Sequence, residues 1–105
     1  MKKIILDENM PRRLGNLITG HSLTTVQKAG WAGIGNGELL TLLDGKFDVF
    51  LTSDKNLRYQ QNLRGRKIAI VELPFNAILL LTPLVPKIQE AIDGAKENDY
   101  IEITP

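Results

Sequence analysis

Three short runs, Lys3 to Leu6, Phe47 to Thr52 and Lys67 to Leu73, constrain this chain more than any other feature. All are rich in Ile, Val, Leu and Phe and too brief for a helix. The first and third are continuously apolar over Ile4–Leu6 and Ile68–Val71 and lack the polar alternation of a strand with one wet face. Strands buried on both sides occur where helices cover both faces of a parallel sheet. These runs therefore predict an α/β architecture.

The intervening segments supply the covering helices. Pro11 suits the first turn of a helix, because its missing N–H would have no intrahelical partner there. Leu14, Leu17 and Ile18 then share one face, and Gly20 ends the element. Ser22 to Val26 reads as a second strand. Four glycines between Gly30 and Gly37, around the only tryptophan, Trp31, read as a loop. Asn36 is placed to N-cap a helix carrying Leu39, Leu40, Leu42 and Leu43, and Gly45 closes it. Ser53-Asp54 can cap a further helix from Lys55 to about Leu63. Asn76 to Gly94 reads as helix, with a break near Thr82-Pro83, and Tyr100 to Thr104 alternates like an edge strand. The order βαβαβαβαβ predicts a three-layer αβα sandwich around a mainly parallel, roughly five-stranded sheet. At 105 residues and 43% hydrophobic content the chain forms one domain with a single core.

In such a sheet, groups at the carboxyl ends of strands converge on a crevice where the strand order reverses. Asp7 and Glu8 follow the first strand, Asp54 follows the third, and Glu38 falls in the first turn of the helix between them. Each acid has a plain structural reading as a cap or a strand-end group. Their joint placement at element junctions favours a site. Carboxylates without Cys and with a single His are the donor set for a hard, oxygen-seeking ion such as Mg²⁺ or Mn²⁺. An ion held this way can activate water and neutralise charge on a phosphodiester, as in a metal-dependent nuclease. Asp48, at the start of its strand, is read as structural, and Glu72, late enough in its strand to approach the crevice, is read first as a solvated edge residue.

A formal charge of +1 supplies no global field for nucleic acid, so RNA contact has to be local. Lys55, Asn56, Arg58 and Tyr59 follow Asp54 and combine cations, an amide and an aromatic ring suited to phosphate and an unstacked base. Arg12 and Arg13 extend that set beside Asp7. The segment from Glu90 to Glu102 is acidic, with Glu90, Asp93, Glu97, Asp99 and Glu102 against Lys96. Trp31 reads as a core or interface plug sooner than as a lid, and His21, alone near a turn, is assigned no role. No apolar run reaches membrane-spanning length and no secretory leader is evident. The expectation is a cytoplasmic protein.

Leu6-Asp7-Glu8-Asn9-Met10-Pro11, Asn36-Gly37-Glu38-Leu39-Leu40 and Leu51-Thr52-Ser53-Asp54-Lys55-Asn56, in that order and spacing, resemble the PIN-like domains, specifically a small bacterial group beginning Leu-Asp-Glu-Asn-(Leu/Met)-Pro. The resemblance implies one PIN-like domain over residues 1–105, with a parallel αβα sandwich and a divalent-metal site. It also implies endoribonuclease activity of the toxin–antitoxin kind, with RNA as substrate, a cognate antitoxin as partner and homodimers as a common state. Carried over by position, Asp7, Glu38 and Asp54 are catalytic metal-binding acids and Glu8 is auxiliary. The chain departs from typical members in having Lys55 and Asn56 where a fourth acid stands, and Asn36 where many relatives have an acid. A catalytically degenerate PIN-like module that binds protein or RNA is therefore one alternative. A phospho-receiver is the other, opposed by the lack of a hydroxyl ending the fourth strand and of a lysine ending the fifth.

Overall fold

The computed structural model describes residues 1–105. Its centre is a sheet of β1 (Lys3–Leu6), β2 (Ser22–Thr25), β3 (Val49–Thr52), β4 (Ala69–Glu72) and β5 (Tyr100–Glu102), in the order β2-β1-β3-β4-β5 with every pairing parallel. The expected α/β sandwich is the observed architecture. The three runs singled out above are its three inner strands, and β1, β3 and β4 are almost wholly buried.

Alternate residues of these strands feed two cores, one on each face. Ile4, Leu6, Val49, Leu51, Ala69 and Val71 face one way, against Met10, Leu14 and Ile18 and the C-terminal helices. Ile5, Phe50 and Ile70 face the other, against Leu39, Leu40, Leu43 and Leu57. The period-two geometry of a strand makes this division automatic, since neighbouring side chains leave opposite sides of the sheet. On the second face lie α1 (Asn36–Leu43) and the single turn α2 (Leu57–Gln60). On the first lie a 3₁₀ turn (Arg12–Asn16), α3 (Ile78–Leu81) and α4 (Val85–Gly94), the last two joined by a 3₁₀ turn over Thr82–Leu84. None of these helices is long and apolar enough to cross a membrane.

Several expected elements are shorter. The helix anticipated after Pro11 is only the 3₁₀ turn, and Leu17 leaves the core and is exposed. Gly15 explains the tight fit here: a Cβ at this position would lie 2.8 Å from Cδ2 of Leu23, so the turn lies close over β2. The helix anticipated from Lys55 to Leu63 contracts to Leu57–Gln60, because only Leu57 in it reaches the core fully. The break expected near Thr82-Pro83 is present: α3 ends at Leu81, and a 3₁₀ turn that tolerates the missing N–H of Pro83 leads into α4.

The N-terminal edge of the sheet is tied by side chains to backbone. Asp48 Oδ2 accepts the Lys3 N–H at 2.7 Å, bearing out its structural reading. Asp44 Oδ1 accepts the N–H groups of Lys67 and Ile68 at 2.7 and 3.0 Å. Asn98, in the left-handed region at φ 66°, donates to the carbonyls of Leu63 and Arg66. His21 is part of the same framework. Its Nδ1 accepts the Lys2 N–H at 3.0 Å and its Nε2 lies 2.7 Å from Asp93 Oδ1 on α4. Trp31 is half-buried against the α1 side, edge-on to Phe47 at 6.2 Å between ring centroids, with Lys46 Nζ over its ring. It plugs the core margin.

Candidate functional site

In the order β2-β1-β3-β4-β5 the chain first steps outward from β1 to β2 and then crosses back to β3, so the reversal falls between β1 and β3. Asp7 extends β1 by one residue, its N–H bonding the Leu51 carbonyl at 2.9 Å. Its side chain therefore leaves the sheet on the same face as Ile5. Thr52 ends β3 on that face too, following Phe50 by two residues. The Thr52 hydroxyl donates to Asp7 Oδ2 at 2.7 Å and accepts the Asp54 N–H at 3.1 Å. One fully buried hydroxyl thus fixes two acids relative to one another.

Asp7 is 7% exposed. Burial pushes its carboxyl above the ordinary range; hydrogen bonds from Thr52 and the Glu8 N–H pull it back, and the charges of Glu8 and Asp54 push it up further. No Lys or Arg forms an ion pair with Asp7, Glu8, Glu38 or Asp54; the two ion pairs of the molecule are His21–Asp93 and Arg58–Glu102.

The anticipated acids separate into three situations. Asp7 and Asp54 come together through Thr52. Glu8 is exposed and turned to the glycine loop, where Oε1 accepts the Gly33 N–H at 3.2 Å, while its carbonyl receives Nε2 of Gln27. Glu38 is exposed in the first turn of α1, with no hydrogen bond or ion pair to the other acids. From that helix it is Asn36 that reaches the site, its Nδ2 donating to Asp54 Oδ2 at 2.9 Å. The expected capping role of Asn36 is corrected accordingly: Gly35 holds the cap position, and the amide is committed to Asp54. Asp54 Oδ1 accepts the Asn56 N–H at 3.0 Å, so Asp54 orders the turn before α2 while keeping the other oxygen for Asn36.

Glu72 also departs from expectation. It is 2% exposed and lies beside Thr52 in register, where Oε1 accepts the Tyr100 hydroxyl at 2.7 Å. Burial, and then the carboxylate of Glu72, hold the Tyr100 hydroxyl well above its ordinary range. Arg58 lies over the Tyr100 and Tyr59 rings at 5.2 and 5.4 Å and approaches Glu102 at 3.4 Å. Tyr59 is 77% exposed. Lys55, Asn56, Arg58 and Tyr59 all follow Asp54 on the α1–α2 side. Arg12 and Arg13 do not join them: their 3₁₀ turn covers the opposite face of the sheet, where Leu14 enters the other core.

Thr52 and Tyr100 are the members of this edge that sequence reasoning overlooked; it notes Asn36 and Glu72 but gives them other roles. Thr52 carried a usable signal, since a hydroxyl two residues before Asp54, at the end of its strand, is placed to accept the Asp54 N–H. Asn36 carried a signal only through the resemblance, since many relatives have an acid at its position; its bond to Asp54 depends on how α1 is docked.

The donors suit a hard cation. No three His, Asp or Glu side chains form a ready-made cage. A Mg²⁺-type site needs only one or two carboxylates, the remaining positions going to water and substrate phosphate. Every carboxylate oxygen of Asp7 and Asp54 accepts one hydrogen bond and has capacity for another partner. No family model, curated protein or solved structure matches the chain.

Proposed function

We propose that the protein is a metal-dependent endoribonuclease, acting in the cytoplasm as the toxin of a toxin–antitoxin pair. The observation that carries the reading is the Asp7–Thr52–Asp54 arrangement. At the point of strand-order reversal one buried hydroxyl bonds both the buried Asp7 carboxylate and the Asp54 backbone N–H, and no protein cation is paired with either acid. Asp7 and Asp54 would hold Mg²⁺ or Mn²⁺, with the exposed Glu8 and Glu38 as further carboxylate donors. The ion, when bound, supplies Lewis-acid activation of water and neutralises charge developing on the phosphodiester.

The chain's own residues supply the rest. Thr52 and Asn36 fix the two carboxylates, sparing the reorganisation that loose ligands would require. Lys55 and Arg58 draw the RNA backbone to the edge, and Asn56 and Tyr59 offer an amide and an open ring to an unstacked base. Partners on this reading are RNA and a cognate antitoxin, and a homodimer is the expected assembly.

The strand order is also that of phospho-receivers. Against a receiver, the fourth strand ends in buried Glu72, whose carboxylate would repel a phosphoryl group at Asp54, and Ile103-Thr104 follow the fifth strand. The test is RNA cleavage with Mn²⁺ by wild type and Asp7→Asn, paired with calorimetric titration of Mn²⁺ into wild type and Asp54→Asn. Cleavage and metal binding that both fail in the variants support the nuclease. Metal-free binding of RNA or protein without cleavage marks the degenerate module, and stable acceptance of acetyl phosphate at Asp54 marks the receiver.

A further inference from the structure

Helix α3 has a composition at odds with its position. It reads Ile-Leu-Leu-Leu, yet only Leu81 is buried, while Leu79 is 84% and Leu80 52% exposed. Exposed apolar residues are common singly, but adjacent exposed leucines on one short turn form a patch that water solvates poorly. Hollows flank this ridge on both sides. One, of about 620 Å³, lies against the 3₁₀ turn and is lined by Pro11, Arg12, Arg13, Asn16 and Ile78. The other, of about 280 Å³, is lined by Ser53, Pro74, Phe75, Asn76 and Leu80. Arg12 and Arg13 are exposed, and neither forms an ion pair or a side-chain hydrogen bond.

We infer that α3 and the Arg12–Arg13 turn form a docking surface for an acidic amphipathic segment of a partner protein. Leucines supply the apolar contact, and the two free guanidinium groups select carboxylates at its border, where complementary charge sets specificity and association rate. RNA is the less suitable occupant. These arginines lie on the opposite face of the sheet from Asp7 and Asp54, and the leucines beside them offer nothing to a phosphate backbone. A second copy is also disfavoured, since the patch has only basic charge and a two-fold contact would set arginines against arginines. The surface stands independently of the nuclease reading.

The experiment uses a fluorescein-labelled leucine-rich amphipathic peptide with glutamates along its borders, its lysine-bordered counterpart, and a single-stranded RNA, each titrated by anisotropy into the full chain. The glutamate peptide should bind, weaken with added salt, and lose at least about tenfold in affinity with Leu79→Asp or with Arg12→Glu/Arg13→Glu. The charge-reversed variant should transfer its preference to the lysine peptide. Because both sites are exposed, circular dichroism of the variants should match wild type. Equal binding of the two peptides, loss of RNA binding in the arginine variant, or concentration-dependent self-association abolished by Leu79→Asp would overturn the assignment.

Discussion

Thr52 is the residue on which the polar edge depends, because its one hydroxyl serves both Asp7 and the Asp54 N–H. Thr52→Val keeps the shape and removes both bonds, leaving a buried carboxylate and an N–H without their partner. The expected cost is about 1–3 kcal/mol in urea unfolding, with weaker Mn²⁺ binding by calorimetry. Asp7 makes a prediction of opposite sign. Its carboxyl is raised on folding, so the native state binds more protons than the unfolded chain between the ordinary carboxylate pKa and the raised one. Metal-free stability should therefore fall as pH rises through that window and stay reduced above it. Asp7→Asn should remove that slope and be more stable than wild type near neutral pH without metal. With saturating Mn²⁺ the order should reverse, because a ligand bound only to the native state stabilises it by about 2.7 kcal/mol at roughly a hundred times its Kd. Denaturation at two pH values, with and without the ion, reads all of these. The acids were legible in the sequence because strand ends are legible. What linked them was not, since a threonine in a β-branched run looks like any strand residue until its facing partner is known.

At the scale of elements, the short runs predicted the strands well and the helices poorly. A buried parallel strand is specified by its own composition, whereas helix length here depends on how much of each segment finds the core. Leu57 is the one residue of α2 buried in the core, so Leu57→Ala should cost about 2–5 kcal/mol and loosen the turn carrying Arg58 and Tyr59. Loss of RNA affinity beyond what the unfolded fraction explains, measured on the folded population, would place that turn in the binding edge. Gly37 offers the reverse. It lies inside α1, where alanine is worth about 0.5–1 kcal/mol over glycine. An added Cβ would meet only the end of the flexible Gln61 side chain, 2.9 Å away. Gly37→Ala should therefore raise the thermal midpoint slightly; a clear fall would show that the Gln61 amide is held in place.

Across the whole molecule the two ends of the sheet are built on different terms. The entries to four of the five strands are fastened by side chains: Asp48 and His21 at β1 and β2, Asp44 at β4, Asn98 before β5. The His21–Asp93 contact joins α4 to this end, and hydrogen bonding from His21, then from Gln89, holds the Asp93 carboxyl below its ordinary range. A depressed acid contributes stability above its unfolded pKa and loses it as pH falls through the folded value. Acid should therefore loosen the α4 end, and Asp93→Asn should flatten that part of the profile. At the opposite end the polar groups point at one another and at solvent, and the glycine loop is attached through Glu8 and Asn36. The fastened end behaves as the fixed jaw of a vice. Opening motions short of unfolding should begin at the carboxyl ends, so that hydrogen exchange spreads from residues 30–37 and 53–56 toward strand entries that hold to the last.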